Sequence, residues 1–411
     1  MTSPASGKLG VLEREGVMNI FTIDRLPVAN KSVFIRVDFN VPLTKTSEVS
    51  DDTRIREALP TIRYAVEKKA KVILASHLGR PKGKVDAKLS LKPVAKRLEE
   101  ILGKPILLAP DCIGPSVKEQ ISRLSNGDVM LLENLRFHIE EEKNEPGFAR
   151  ALAELAEVYV NDAFGSSHRA HASVVGMVPH FDKKGIGFLM QKEIEALSRL
   201  SANPDKPFVV VLGGAKVSDK IGLIRGLLSR ASAIAVGGAM AYTVQLAKGT
   251  PTGKSIVEDD KVEEVRKLVA EAGRRDVKIL LPKDHIVVAE LKSGASSSVT
   301  SGPEIPDGKV GVDIGPQTVE FFSSKIRPAR TIFWNGPMGV FEIPPFDRGT
   351  RAIAETVVQA QAFSVAGGGD TVSALKQTGL ADKVSHISTG GGASLEFLEA
   401  GDLPGIAVLR E

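Results

Sequence analysis

The chain has 411 residues, with 54 Lys plus Arg against 50 Asp plus Glu and a net charge of +4. At 42% hydrophobic and 25% charged residues it has the balance of a globular chain of about two or three domains, which excludes disorder as the main state. Near-neutral charge with only three Tyr and one Trp argues against a nucleic-acid surface. No apolar run of ~18 residues occurs, so no membrane helix is expected. The first eighteen residues lack the apolar stretch of a secretory signal. Cys112 is the only cysteine, which forbids an intrachain disulfide and suits a cytoplasmic protein.

Short β-branched runs alternate with helical patterns. The runs of the first half are 32–39, 71–77, 105–110, 128–135 and 157–164. Those of the second half are 207–214, 233–238, 277–282, 309–315, 331–336, 362–368 and 385–391. Continuous apolar character suits strands buried on both faces of a parallel sheet. Between them, Ile221, Ile224, Leu227 and Leu228 recur at helical spacing behind Ser218 and Asp219, which are N-cap candidates. The stretch 187–207 reads as an amphipathic helix through Leu189, Ile194, Leu197 and Leu200, closed by Asn203-Pro204. The Ser-rich segment 293–302 reads as a surface loop. The expected fold is α/β: two doubly wound, Rossmann-like parallel-sheet domains joined by a helix, with a cleft between them.

Several motifs are missing. There is no G-x-G-x-x-G, which argues against a dinucleotide-dependent dehydrogenase. GTPTGKS at 249–255 has one residue too few between its glycines for a P-loop and reads as a turn. His138, His168, His171, His180, His285 and His386 show no metal-ligand spacing, so no structural metal site is expected.

Two constellations remain. Arg36, Arg54, His77, Arg80, Arg136 and Arg169 lie at strand ends or helix starts of the first half. One arginine alone is an ordinary surface or ion-pair residue. Several at one end of a sheet would repel unless an anion compensates them, and guanidinium groups match carboxylate and phosphate oxygens. The second half holds most of the 39 glycines, gathered at strand ends as GGAK (213–216), GGAM (237–240), GGGDT (367–371) and TGGGAS (389–394). Each alone is a turn, but glycines let backbone N–H groups approach phosphate oxygens at a helix start. Asp370 reads either as a helix cap or as a ligand for nucleotide-bound Mg²⁺. Lys216 and Lys220, four apart, share a face if a helix begins there. Phosphoryl transfer between a nucleotide and a small anion, with domain closure to exclude water, is the function these features suggest.

The segments RVDFNVPL (36–43), TRIREALPTI (53–62), SHLGRPKG (76–83), LLENLRFHIEEEKN (131–144), NDAFGSSHRAHAS (161–173), VLGGAKVSDKI (211–221), IFWNGPMGVFE (332–342), GGGDT and HISTGGGASLE (386–396) resemble phosphoglycerate kinases. The resemblance implies transfer between MgATP and the carboxylate of 3-phosphoglycerate, giving MgADP and 1,3-bisphosphoglycerate, as in glycolysis and gluconeogenesis. It implies an acid-binding side at Asp38, Phe39 and Asn40, at Arg54, through His77, Leu78, Gly79 and Arg80, and at Arg136 and Arg169. It implies a nucleotide side at Lys216 and Lys220, at Gly311, Asn335 and Glu342, and along Gly368, Gly369, Asp370 and Thr371. By similarity Arg54 and Lys216 steady the phosphoryl group in flight and Lys220 holds nucleotide phosphate. Asp370 is expected to meet Mg²⁺, Glu342 the nucleotide sugar, and the amides around Gly369 and Gly392 to help in catalysis.

The expected organisation is an acid-binding domain over 1–186, whose first residues (1–17) form an extension, a connecting helix at 187–203, a nucleotide domain at 204–390, and a returning segment at 391–411. The protein is expected to be a cytoplasmic monomer with ATP or ADP and the phosphoglycerates as partners. The competing reading is a non-catalytic nucleotide sensor on the same fold.

Overall fold

The computed structural model describes residues 20–410, so the extension 1–17 lies outside the described residues. Every expected strand is present, trimmed at its ends. They are β1 (Ser32–Val37), β2 (Lys71–Ala75), β3 (Ile106–Leu108), β4 (Val129–Leu131), β5 (Val158–Asp162), β7 (Phe208–Leu212), β8 (Ala233–Val236), β9 (Lys278–Leu280), β12 (Val310–Ile314), β13 (Thr331–Asn335), β14 (Phe363–Gly367) and β15 (His386–Ser388). Three more appear: β6 (Lys184–Ile186), β10 (His285–Val288) and β11 (Ser297–Val299).

The described chain falls into two units. One comprises the residues up to Gln191 with the segment from Pro404, and the other is Lys192–Leu403. In the first, six parallel strands run in the order β3-β4-β2-β1-β5-β6. In the second, six parallel strands run β15-β14-β13-β7-β8-β9. Val33, Ile35 and Val37 from β1 pack with Leu74, Val160 and Ile62 in the first core. Val209, Val211, Ile332 and Trp334 pack with Phe322 and Ile353 in the second. Strand order reverses at β1/β5 in the first unit and at β7/β13 in the second. A parallel sheet opens a crevice beyond the carboxyl ends of its strands at such a reversal.

Three local expectations change. β12 leaves the parallel sheet and pairs antiparallel with β10, which pairs with β11. The Ser-rich segment therefore contains an exposed strand. Its alternation is invisible because neither face is buried. The helix after β7 starts only at Ile221, and Ser218 does not cap it. Glu258 competes instead, accepting from Val217 N at 2.6 Å and from the Ser218 hydroxyl at 2.6 Å. Lys216 and Lys220 thus sit on the turn ahead of the helix, not on one of its faces.

The helix Phe188–Ser201 buries Met190, Ile194, Leu197 and Leu200, and the junction between the units falls within it. The helix Gly392–Ala400 stays with the second unit. A side chain at Gly226 would stand 2.9 Å from the backbone of Glu399, so the helices Ile221–Leu227 and Gly392–Ala400 touch through glycine. The second unit runs to Leu403, and the first unit resumes at Pro404. There Gly405 N donates to Ser167 O at 2.8 Å, and Asn161 Nδ2 to Gly405 O at 3.2 Å.

Candidate active site

In the first unit, β1 brings Arg36 to the reversal point. The residue is 1% exposed. Nε donates to Ser173 Oγ at 2.9 Å, Nη1 to Val37 O, and Nη2 lies 3.3 Å from His77 Nδ1. The chain then turns through Asp38-Phe39-Asn40. Asp38 Oδ1 accepts from Asn40 N at 3.1 Å and from Arg54 Nη1 at 2.8 Å, the arginine coming from the first turn of the helix Thr53–Glu67. Burial pushes the Asp38 carboxyl up, but His77, Arg54 and Arg36 outweigh it and hold it below its ordinary value.

The turn after β2 docks on this one. Asn40 Oδ1 accepts from Gly79 N at 2.9 Å, and Gly79 O accepts from Arg136 Nη1 at 2.9 Å. Asn134 clamps Leu78 on both sides, accepting from its N–H at 3.2 Å and donating to its carbonyl at 2.8 Å. Arg136 is pushed down to about 10 by burial and by the neighbouring charges of Arg169 and Arg36, with Glu142 opposing. His171 is pushed down to about 3 by burial and by Arg136, Arg36, Arg169 and His168. Burial is the larger cause in both, and because Arg36 and Arg169 act on both groups the guanidinium groups lie near one another. The concentration of positive charge suits an anion carrying several charges.

Asp38, Asn40, Arg54, His77, Gly79 and Arg136 are thus tied together, with Arg169 beside them. Phe39 and Leu78 are core residues whose backbone shapes the turns. Arg80 is exposed and forms no hydrogen bond or ion pair among the described residues. Sequence reasoning missed the brace behind the cations. Glu141 is fully buried and accepts from Ser173 N at 2.9 Å and Ser173 Oγ at 2.5 Å. Nothing in the run EEEK marks which glutamate turns inward.

In the second unit, the turns after β7 and β13 meet at the other reversal point. Lys220 Nζ donates to Asn335 Oδ1, and Asn335 Nδ2 to Gly367 O at 2.8 Å. Burial pulls Lys220 below its ordinary value, while Asp219 and Asp370 act the other way. Gly336 N donates to Thr371 Oγ1 at 2.6 Å. Asp370 is exposed in the first turn of the helix Gly369–Thr378, whose N-cap Gly368 has φ 90°. Lys216 is exposed on the turn between β7 and the following helix. The loop carrying the exposed Glu342 is stitched to β12 by Val340 N donating to Val312 O at 2.8 Å. Gly311 precedes that strand residue and donates to Ser255 Oγ at 3.0 Å.

The glycine clusters serve two different purposes. A Cβ at Gly213 would stand 2.0 Å from Pro337 O, and one at Gly336 would stand 2.2 Å from Gly213 O. These glycines let two backbone turns touch. Around Gly369 and Gly392 there is nothing within 4 Å. Those two lie at helix starts with their N–H groups open to an anion. The Gly392 turn is fixed from behind by Glu193, which accepts from Thr389 N at 2.7 Å and lies 2.9 Å from His386 Nε2. Glu193 was read from the sequence only as part of the connecting helix.

A cationic bay for a polyanion and open helix starts beside lysines make the chain a phosphotransferase by its equipment. There is no nucleophile and base pair in either set, and in-line transfer to an already ionised oxygen requires none. Comparison with known proteins agrees. The family model described as phosphoglycerate kinase matches residues 23–401. A phosphoglycerate kinase of Anaeromyxobacter dehalogenans (strain 2CP-C) is 54% identical over 396 residues, covering 96% of this chain and all of that protein. One from Solibacter usitatus is 55% identical, covering 95% of this chain and 100% of that one. The structure of phosphoglycerate kinase from Coxiella burnetii superposes with a TM-score of 0.86 at 40% identity, covering 95% of this chain and 98% of that one. The chain belongs to the phosphoglycerate kinase family.

Proposed function

We propose that this chain transfers a phosphoryl group reversibly between MgATP and the carboxylate of 3-phosphoglycerate, in the cytoplasm and as a monomer. The observation that carries this reading is the convergence of Arg36, Arg136 and Arg169, whose like charges an anion would compensate. In this reading Arg136, Arg169 and His77 hold the acid, with Arg80 free to swing onto it. Arg54, steered by Asp38, and Lys216 neutralise the phosphoryl group as it moves. Lys220, oriented by Asn335, grips nucleotide phosphate, and the amides at Gly369 and Gly392 donate to its oxygens. Gly311 and Glu342 flank the nucleoside.

The acceptor carboxylate is ionised at neutral pH, so the protein supplies alignment and charge neutralisation and no base. Asp370 fits the metal, because a single exposed carboxylate suits Mg²⁺ that keeps its waters and is held mainly by nucleotide phosphates. That ion neutralises phosphate charge when bound.

A coupled assay of ATP-dependent 3-phosphoglycerate consumption tests the reading. In Arg54→Ala, turnover should fall on the order of 10²–10³-fold, the scale for losing one preorganised donor. Arg54 is partly exposed and Arg36 remains beside the Asp38 carboxylate, so the fold should survive. Turnover in the unaltered protein with normal kcat in Arg54→Ala would remove Arg54 from the chemistry. No turnover in the unaltered protein would favour the nucleotide-sensing alternative.

A further inference from the structure

Elsewhere in the first unit, Asp111, Cys112 and His138 bring one oxygen, one sulfur and one nitrogen within 4.8 Å of one another. We propose that they form a binding site for a borderline-soft divalent cation of the zinc type, with water as the remaining ligand. The sequence hid it, because Asp111-Cys112 and His138 lie far apart along the chain and meet only through the sheet.

The scaffold assembles the site without help from an ion. Ala109 N donates to Leu131 O at 2.9 Å and Glu133 N to Asp111 O at 3.4 Å, so the loop after β3 is stitched to the end of β4. His138 follows the turn Leu135–Phe137. Its ring is tilted against Phe148 at a centroid distance of 5.3 Å, which limits its rotation. Its Nε2 lies 2.7 Å from Asp111 Oδ1. Cys112 is fully buried, whereas the side chains of His138 and Asp111 are 27% and 47% exposed. An ion therefore enters from the Asp111 side and meets sulfur at the bottom.

The donor set selects the metal. Mg²⁺ and Ca²⁺ prefer oxygen and would not choose a thiolate, while Zn²⁺ and Co²⁺ accept S, N and O together with an open fourth position. Binding exchanges the thiol proton for a metal–sulfur bond and releases that proton to solvent. An imidazole ligates through an unprotonated ring nitrogen, so with Nε2 turned from Asp111 to the ion the ring proton sits on Nδ1. Nothing is oxidised or reduced. This site is separate from Asp370 and the nucleotide's ion.

The test titrates the full chain with Co²⁺ and then Zn²⁺, with no nucleotide present. Co²⁺ should bind one to one with a thiolate-to-cobalt charge-transfer band, and Zn²⁺ should displace it. Cys112→Ser should abolish the band, and His138→Gln should weaken binding at least tenfold. Zn²⁺ should also slow modification of Cys112 by a thiol reagent in the unaltered protein, a readout that needs no variant to fold. Cobalt binding without a thiolate band, unchanged affinity in Cys112→Ser, or a thiol reacting equally fast with and without Zn²⁺ would each overturn the proposal.

Discussion

Replacing Arg36 by Met should expose how the cationic bay is held together. Arg36 is buried and donates to Ser173 Oγ and Val37 O, and it offsets the buried carboxylate of Glu141. Removing one partner of a buried charge pair costs about 3–5 kcal/mol, because the survivor keeps its desolvation penalty. Glu141 has an escape. Burial already raises its pKa, with Arg36, Ser173 and Arg136 opposing. Without Arg36 the value rises further, and the carboxyl can take up a proton. For a raised acid the stability contribution is complete at low pH and is lost as pH rises through the folded value. Each further tenfold gain in the proton affinity of that carboxyl is worth ~1.4 kcal/mol. The penalty of Arg36→Met should therefore be largest near pH 8 and smaller by on the order of 1–3 kcal/mol near pH 5.5. Glu141→Gln introduced into Arg36→Met should recover at least ~1.5 kcal/mol at pH 8. Urea denaturation followed by circular dichroism measures the parent, Arg36→Met, Glu141→Gln and the double variant, and the fluorescence of Trp334, the chain's single tryptophan, tracks the second unit separately. Penalties that simply add, and that do not change between the two pH values, would refute the pairing of Arg36 with Glu141.

Two other consequences are directly measurable. Burial pulls His285 down to about 4, and Gln245 Nε2, which can only donate, lies 3.0 Å from its Nε2. A depressed base contributes stability that is present above its unfolded pKa near 6.5 and is lost as pH falls toward 4, about 3 kcal/mol in all. His285→Gln should flatten the acid limb of a stability–pH curve for the second unit, and an unchanged slope would count against it. Gly213→Ala should lower the unfolding temperature, since its Cβ meets Pro337 O at 2.0 Å and overpacking of this kind costs ~1–3 kcal/mol or more. Gly369→Ala, with open space around it, should unfold as the parent does while raising KM for ATP. Equal effects of the two glycine variants on stability would erase the distinction between packing and binding glycines.

What the sequence reveals follows from what repeats along it. Buried parallel strands announce themselves because both faces are apolar, so β1, β7 and β13 stand out, and with them the neighbourhood of the reversal points. Cations at strand ends are legible for the same reason: Arg54, His77 and Arg136 follow a strand or open the next element. Residues that act through three-dimensional closure leave no such trace. Glu141 is one acid among three in a row, and only helix geometry turns it inward toward Ser173. Glu193 looks like any charged position on an amphipathic helix, yet it is buried and holds the turn before Gly392. The glycines make the point most sharply. In sequence, GGAK and TGGGAS are alike, and a phosphate cradle explains both equally well. Their difference lies in what stands opposite each missing side chain, a backbone from a segment over a hundred residues away at Gly213 and open space at Gly392, and neither can be read from the glycines themselves.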